Sequence, residues 1–485
     1  MRCLLFSVNV KKMNRNLIQG AKPVLFLIII SFALSLSPSL TVPYLNDDID
    51  HFHNVARAIR SSTMASWLLT PHNEHVIPFL KAIYFLCYKY SRIDPEAFHL
   101  IVIVLCVGII ILTYKLTFLL TQSTPAALVG ASIIAATNLF DEAIVVIANS
   151  HILFSLFFFL LLFYAMYQHS LKKKTSWRLT AFFAVLLLPS TFALGLTSLI
   201  FVVLFDRLCL SQEQRQNNKR LFPALTIAWL LSLLPYLYSI DAIIHAGHYQ
   251  AVGARSVFEI MHFIAPILWL TKYTALNLIP SVTANSYLAF GLFFLSFFTA
   301  ITRPKEIEWK KVVFFILFGL FNNYIIFVFR SAWGMAFLLS RPRYYVFPMA
   351  MIALCYAIIL HPLFRNNPRI KNVPTLLLVY LLCFSAVTNG NLRRHANGQL
   401  FAQKTVAIKN FCILFKKAFV DYFHEHKVAG TLEVKNKTRI FARSTKHYAQ
   451  YILPEEIYNK IIWKDCTDPA FLDYVKAKEY FFLID

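Results

Sequence analysis

Residues 98–118 read FHLIVIVLCVGIIILTYKLTF, and Lys115 carries the only formal charge in the run. A helix rises 1.5 Å per residue, so a run of this length and polarity is enough to cross a hydrocarbon core of roughly 30 Å. Comparable runs recur from Val24 to Val387. Spans are expected near residues 24–40, 98–118, 124–140, 152–169, 222–239, 286–302, 311–329, 345–361 and 374–388. With a helical hairpin over residues 180–205, the total comes to about eleven. The expected architecture is therefore an all-α polytopic membrane domain over residues 1–389. A small α/β extracytoplasmic domain follows over residues 390–485, where the composition turns less apolar and mixes both charge signs.

The whole chain bears this out by composition. Of its 485 residues, 58% are hydrophobic and 15% charged, against about 45–50% and about 25% in soluble domains. A soluble core of such helices would need a polar coat that the sequence lacks. A net charge of +23 invites a nucleic-acid partner, but the cations fall in short clusters between apolar runs, as the positive-inside rule requires. Membrane lipids, and not nucleic acid, are the expected surroundings.

The clusters also set the topology. Lys172, Lys173, Lys174 and Arg178 form one, and Arg207, Arg215, Lys219 and Arg220 the next. Both belong inside, so residues 180–205 must cross an even number of times; Pro189, Ser190 and Gly195 mark the break of a tight hairpin that stops short of the far side. Arg303, Lys305, Lys310 and Lys311, then Arg365, Arg369 and Lys371, again belong inside. Residues 258–279 are apolar enough to span, yet counting them would put the later clusters on the wrong side. They are expected to form an interfacial or pocket-lining helix. Arg2, Lys11, Lys12, Arg15 and Lys22 precede residues 24–40, which read as an uncleaved first helix with a cytoplasmic N-terminus. The cysteines show no metal-ligand spacing; Cys106, Cys355 and Cys383 fall in apolar runs as small hydrophobes, while Cys412 and Cys466 share the tail and could pair in an oxidising compartment.

Chemistry-capable residues gather on the opposite face. The first outer loop, about residues 41–77, holds Asp47 and Asp48 and then His72, Glu74 and His75. A carboxylate at the mouth of an apolar pocket has raised proton affinity and can act as a general base. The bland alternative is that Asp47 and Asp48 cap the helix that runs through Val55 to Ile59. As outer-loop carboxylates they should be removable at little cost in folding. Residues 78–90 form an amphipathic stretch expected to lie along the interface. Asp141 and Glu142 follow the third span at the same face. Arg330, Arg341, Arg343 and Tyr344 stand at the outer ends of two later spans, against the positive-inside trend, and suit a phosphate or pyrophosphate. Headgroup anchoring is their ordinary role. His151, His245, His248 and His262 are expected to be satisfied polar side chains, not ligands.

The acidic pair after the first helix, the His-rich loop, DPEAFHL at the second span, DEAIVVIANSHIL and RPRYYVFPMA together resemble the membrane-embedded GT-C glycosyltransferases. The likeness is nearer to the protein O-mannosyltransferase branch and its bacterial relatives. It covers roughly residues 24–390, and HNEHVIP stands where those enzymes carry an Asp-x-His-Pro-Pro-like stretch. It implies transfer of a sugar from a polyprenyl-phosphate donor to a glycan, lipid or protein acceptor at the outer face of a bacterial inner membrane. By position, Asp47 and Asp48 match the catalytic acidic pair, Glu142 the second acidic site, and Arg343 the arginine near the donor phosphate. His72, Glu74 and His75 would orient substrate, or hold a divalent metal together with an acid; Arg341 and Tyr344 would assist at the phosphate. The rival class is a transporter or flippase for a lipid-linked glycan. Transporters usually show mid-membrane charge and internal repeats; here the charges sit at span ends and no repeat is visible.

Overall fold

The computed structural model describes residues 23–30, 32–33, 36, 47–72, 75–91, 96–136, 143–144, 146–241, 283–329, 342–365, 413–426, 431–435, 453, 455–464 and 469–477. The expected features at 258–279, 374–388, Asp141, Glu142, Arg330, Arg341, His245, His248, His262, Cys383, Cys412 and Cys466 lie outside the described residues, and so does Glu74.

Three helices build the first outer segment: α1 (Asp47–Arg60), α2 (Met64–Leu69) and α3 (Pro78–Ser91). The amphipathic stretch is indeed helical, with Leu80, Lys81, Tyr84, Cys87 and Tyr88 on its buried side and Leu86, Lys89 and Tyr90 exposed. The bundle follows as α4 (Glu96–Thr121), α5 (Thr124–Ala136), α6 (His151–Lys172), α7 (Thr175–Thr191), α8 (Ser198–Cys209), α9 (Gln212–Asn218), α10 (Phe222–Tyr238), α11 (Thr283–Thr302), α12 (Trp309–Phe329) and α13 (Val346–Arg365). Among the described residues, four helical stretches are long and apolar enough to cross a membrane: Glu96–Thr121, Ile147–Lys172, Trp309–Ile326 and Val346–Phe364. The pair α9 and α10, bent by 56°, adds a fifth if it is one broken span. The protein is a multi-pass membrane protein by these helices.

Packing is dominated by phenylalanine. Phe163 of α6 stacks on Phe205 of α8 with ring centroids 4.8 Å apart, and Phe201 meets Phe318 of α12 edge-on at 4.4 Å. Each such pair adds about 0.5–1.5 kcal/mol beyond its buried area. The outward faces of α10 (Leu230, Leu234, Leu237) and α11 (Phe294, Phe297, Phe298) are exposed and apolar, as suits surfaces that face lipid.

Hydrogen bonds show that the cation clusters within the described residues share one end. Asn217 donates to the Ser170 carbonyl at 2.7 Å, and His169 Nδ1 lies 3.0 Å from Asn218 Oδ1, tying α9 to the C-terminal end of α6. Asn218 also reaches Asp206 of α8 at 3.5 Å. Lys311 donates to the Leu120 carbonyl at the end of α4 (2.6 Å), and Arg303 to the Pro362 carbonyl near the end of α13 (3.1 Å). The chain therefore leaves this end along α7 and returns to it along α8.

The elbow between them is closed by Gly195, where an added Cβ would lie 2.3 Å from the Leu188 carbonyl carbon and 2.4 Å from Pro189 N. Only glycine permits that approach. The return arm α8 has 12 residues and measures about 18 Å, less than the bilayer core. Its two arms do not form a self-contained hairpin, however: α7 packs on α6 and α10, and α8 on α12. In the tail, β1 (Leu432–Lys435) pairs in parallel with β2 (Ile461–Lys464), Leu432 opposite Ile461. A helix over residues 413–425 and the helices α14 (Glu455–Tyr458) and α15 (Pro469–Ala477) accompany them.

Candidate functional site

The site lies at the end opposite the described cation clusters of α6, α8 and α9, where α1, α3, the 3-10 turn Ile147–Ser150 and the elbow after α7 meet. Helix α1 opens with Asp47 and Asp48. Asp48 is fully buried. Its Oδ1 accepts from the Tyr84 hydroxyl (2.7 Å) and the Ala148 N–H (2.5 Å), and its Oδ2 from the Ile147 N–H (3.2 Å). For Asp48 this geometry goes beyond a helix cap and makes the side chain costly to remove. Asp48 is a clamp that joins α1, α3 and the turn before α6, because a buried carboxylate with three donors would leave all three unpaired if removed. The side chain of Asp47 is not among those described; its backbone is the first position of the same helix.

Sequence spacing concealed a ring of imidazoles around this clamp. His51, one turn along α1, is buried, stacks on Tyr84 (4.5 Å) and faces His72 (4.3 Å). His72 and His75 exchange backbone hydrogen bonds at 2.8 and 3.0 Å, which closes a tight turn. His75 is buried, lies 5.7 Å from His151, and meets Phe192 of the elbow at 4.6 Å. His151, expected to be a merely satisfied side chain, thus joins the cluster at the start of α6. The available signal was helical spacing: His51 stands three and four residues after Asp48 and Asp47, on the same face. No spacing could have announced His151.

Lys81 is the other residue missed. Its ammonium donates to the carbonyls of Trp67 (2.7 Å) and Thr70 and sits 5.3 Å above the Trp67 ring. Burial pushes it down to about 7, since a desolvated ammonium is disfavoured. Burial also holds His51 well below its ordinary value, helped by the charges of His72, Lys81 and His151. This burial favours the neutral imidazole of His51.

Arg343 lies in the 3-10 turn Pro342–Tyr345, its side chain outside those described. Tyr344 is buried, and its carbonyl accepts from Asn323 Nδ2 at 2.9 Å. Helix α12 begins at the cation end and α13 finishes there, so this turn lies towards the same end as Asp48. Among the described residues, no group of three or more His, Cys, Asp or Glu side chains is arranged to hold a metal ion.

No protein-family model matches the chain, and no curated protein matches its sequence. Among solved structures, it is similar to the oligosaccharyltransferase of Archaeoglobus fulgidus in the apo form, with a TM-score of 0.49 at 13% identity. It is also similar to the archaeal oligosaccharyltransferase AglB from Archaeoglobus fulgidus in complex with an inhibitory peptide and a dolichol-phosphate, at 0.44 and 14%. Both alignments cover 90% of this chain and 64% of the other. The chain thus spans less than two thirds of the length of the structures it matches. A likeness of this degree assigns neither activity nor substrate.

Proposed function

We propose that this protein is a membrane glycosyltransferase of inverting type, with about eleven spans, that moves a sugar from a polyprenyl-phosphate donor at the extracytoplasmic face. Asp47 is the general base that deprotonates the acceptor hydroxyl as it attacks the anomeric carbon. Asp48 positions it by locking the start of α1. Arg343, with Arg341 and Tyr344 beside it, holds the leaving lipid phosphate and stabilises the charge that develops there. Glu142 is the second acid, and Glu74 with His72 and His75 orients the substrate. A bacterial inner membrane, with the site towards the periplasm, is the setting that the cation clusters favour.

The observation that carries this reading is the convergence of the paired acids, the His72–His75 turn and the turn before α6 at one end of an apolar bundle, away from every described cation cluster. Charges at span ends, with apolar helices below, suit a reaction on a lipid-linked phosphate.

The test is transfer from a radiolabelled polyprenyl-phosphate sugar in membranes at matched expression. Asp47→Asn should abolish transfer, and Arg343→Ala should raise the donor KM, with Arg343→Lys recovering part because a point charge replaces a two-pronged donor. Full activity in Asp47→Asn would move the base to Glu142. No transfer from any donor, together with lipid-linked glycan accumulating on the inner leaflet of a deletion strain, would replace this reading with a flippase.

A further inference from the structure

Two cation-bearing turns from separate stretches of chain are pinned side by side at the end away from the acids. One leads from α6 into α7 and carries Lys173 and Lys174, with Arg178 in the first turn of α7. The other leads from α9 into α10 and carries Lys219 and Arg220. The bonds from Asn217 to the Ser170 carbonyl and between His169 and Asn218 hold the two together. Both His169 and Asn218 are buried, so the pairing is fixed. All five cations are exposed. Among the described residues no ion pair engages them. Residues 172–178 hold no acid, and residues 211–220 hold only Glu213. The turn between α11 and α12 differs: Arg303 meets Glu306 at 3.8 Å, and Lys311 meets Glu308 at 2.6 Å. Cations there answer to acids of their own turn, whereas the first two turns leave their charge open to a ligand.

The helices that leave these turns point to the class of ligand. Helices α7 and α10 both start here and pack on each other. Near their far ends, Tyr236 donates to the Pro189 carbonyl at 2.9 Å. Each carries exposed apolar side chains beyond its cations: Leu179 and Phe183 on α7, Ile227, Leu230 and Leu234 on α10. Trp177, half-buried against Tyr164 with ring centroids 5.5 Å apart, stands between charge and apolar face, the level at which indoles gather in a bilayer. A soluble anion would use the cations and leave these apolar faces idle. A phospholipid with net negative charge uses both, its headgroup at the cations and its acyl chains along the helices.

We infer that an anionic phospholipid from the leaflet at the cation end is bound here, its headgroup between the α6–α7 and α9–α10 turns and its chains along α7 and α10. The site does not depend on the reaction proposed at the opposite end.

The experiment exposes the purified full-length protein in detergent to phosphatidylglycerol or to phosphatidylcholine with the same acyl chains, and counts retained lipid by native mass spectrometry. Wild type should retain phosphatidylglycerol about tenfold over phosphatidylcholine, as one or two cations acting on a net anionic headgroup would give. Lys173→Gln with Lys174→Gln, and separately Lys219→Gln with Arg220→Gln, should each lower that preference to about twofold. Substitutions at such exposed positions cost the fold little. Arg178→Gln, which keeps the lysines that direct insertion, should lower it in part. Lys305→Gln with Lys310→Gln removes as much charge from the turn between α11 and α12 and should leave the preference intact. An equal loss in that control would overturn the site and leave only a diffuse attraction of this end for anionic lipid. An unchanged preference in both turn variants, or none in wild type, would overturn it as well. Complete displacement of phosphatidylglycerol by inorganic phosphate would replace the lipid with a free anion.

Discussion

The carboxylate of Asp48 accepts a hydrogen bond of 2.5 Å from the backbone of Ala148, a hundred residues further along the chain. With the bond from the Ile147 N–H, that contact ties the helix carrying the paired acids to the turn that leads into the helix carrying His151. It also separates the two acids in kind. Asp48 is sealed from solvent and holds structure together, whereas Asp47, one position earlier, is left to act as base in the proposed reaction.

Asp48→Ala should therefore destabilise the protein by roughly 3 kcal/mol, because two backbone N–H groups and a tyrosine hydroxyl lose a buried charged acceptor. Thermal unfolding in detergent measures this. Asp47→Asn should unfold at the wild-type temperature, so a larger loss for Asp47 than for Asp48 would reverse the roles assigned here.

Tyr84→Phe removes one of the three donors and leaves the other two. The expected cost is about 1.5–3 kcal/mol, the usual worth of a hydrogen bond to a charged group. Its stacking on His51 survives the change, so a much larger loss would show that the hydroxyl holds more than Asp48.

His51 titrates below its ordinary value in the folded protein. The unfolded chain therefore binds more protons as pH falls past about 6.5, and stability is lost in that window. His51→Phe removes this proton uptake while keeping a ring against Tyr84. The stability of the variant relative to wild type should grow as pH drops from 7 to 5, read from unfolding midpoints at each pH. A constant difference would mean that His51 is not the titrating group.

Gly195→Ala should disturb the elbow between α7 and α8, since the new Cβ would meet backbone atoms of Leu188 and Pro189 that cannot swing aside. Lower yield of folded protein is expected. If Gly195→Ala folds normally, the elbow is looser than its packing indicates.

Cysteine labelling in intact cells should place residues 173, 215 and 310 on one side of the membrane. This follows from the hydrogen bonds of Asn217 and Lys311, which bring the ends of α6, α9 and α4 together with the start of α12. Labelling of residues 173 and 215 from opposite sides would break the out-and-back path of α7 and α8.

How much of this was legible in the residues alone depends on how far apart the interacting groups stand. Hydropathy and charge accumulate locally along the chain. The apolar run at 98–118 and the cation clusters at 172–178 and 207–220 therefore announced the membrane class and the need for an even number of crossings between them. The amphipathic period of residues 78–90 announced the helix Pro78–Ser91 in the same way. The paired acids were visible too, but not which of them is buried. That was decided by packing: Asp48 meets partners 36, 99 and 100 positions away, and burial of a carboxylate depends on whether such donors arrive. His151 entered the site for the same reason. Its Nδ1 meets a carbonyl three residues back, but its neighbours His75 and Phe192 come from the outer loop and from an elbow that only Gly195 allows to close. Local pattern determines which segments enter the membrane and which end carries the cations; the choice among chemically similar acids and histidines belongs to contacts that exist only once the helices have packed.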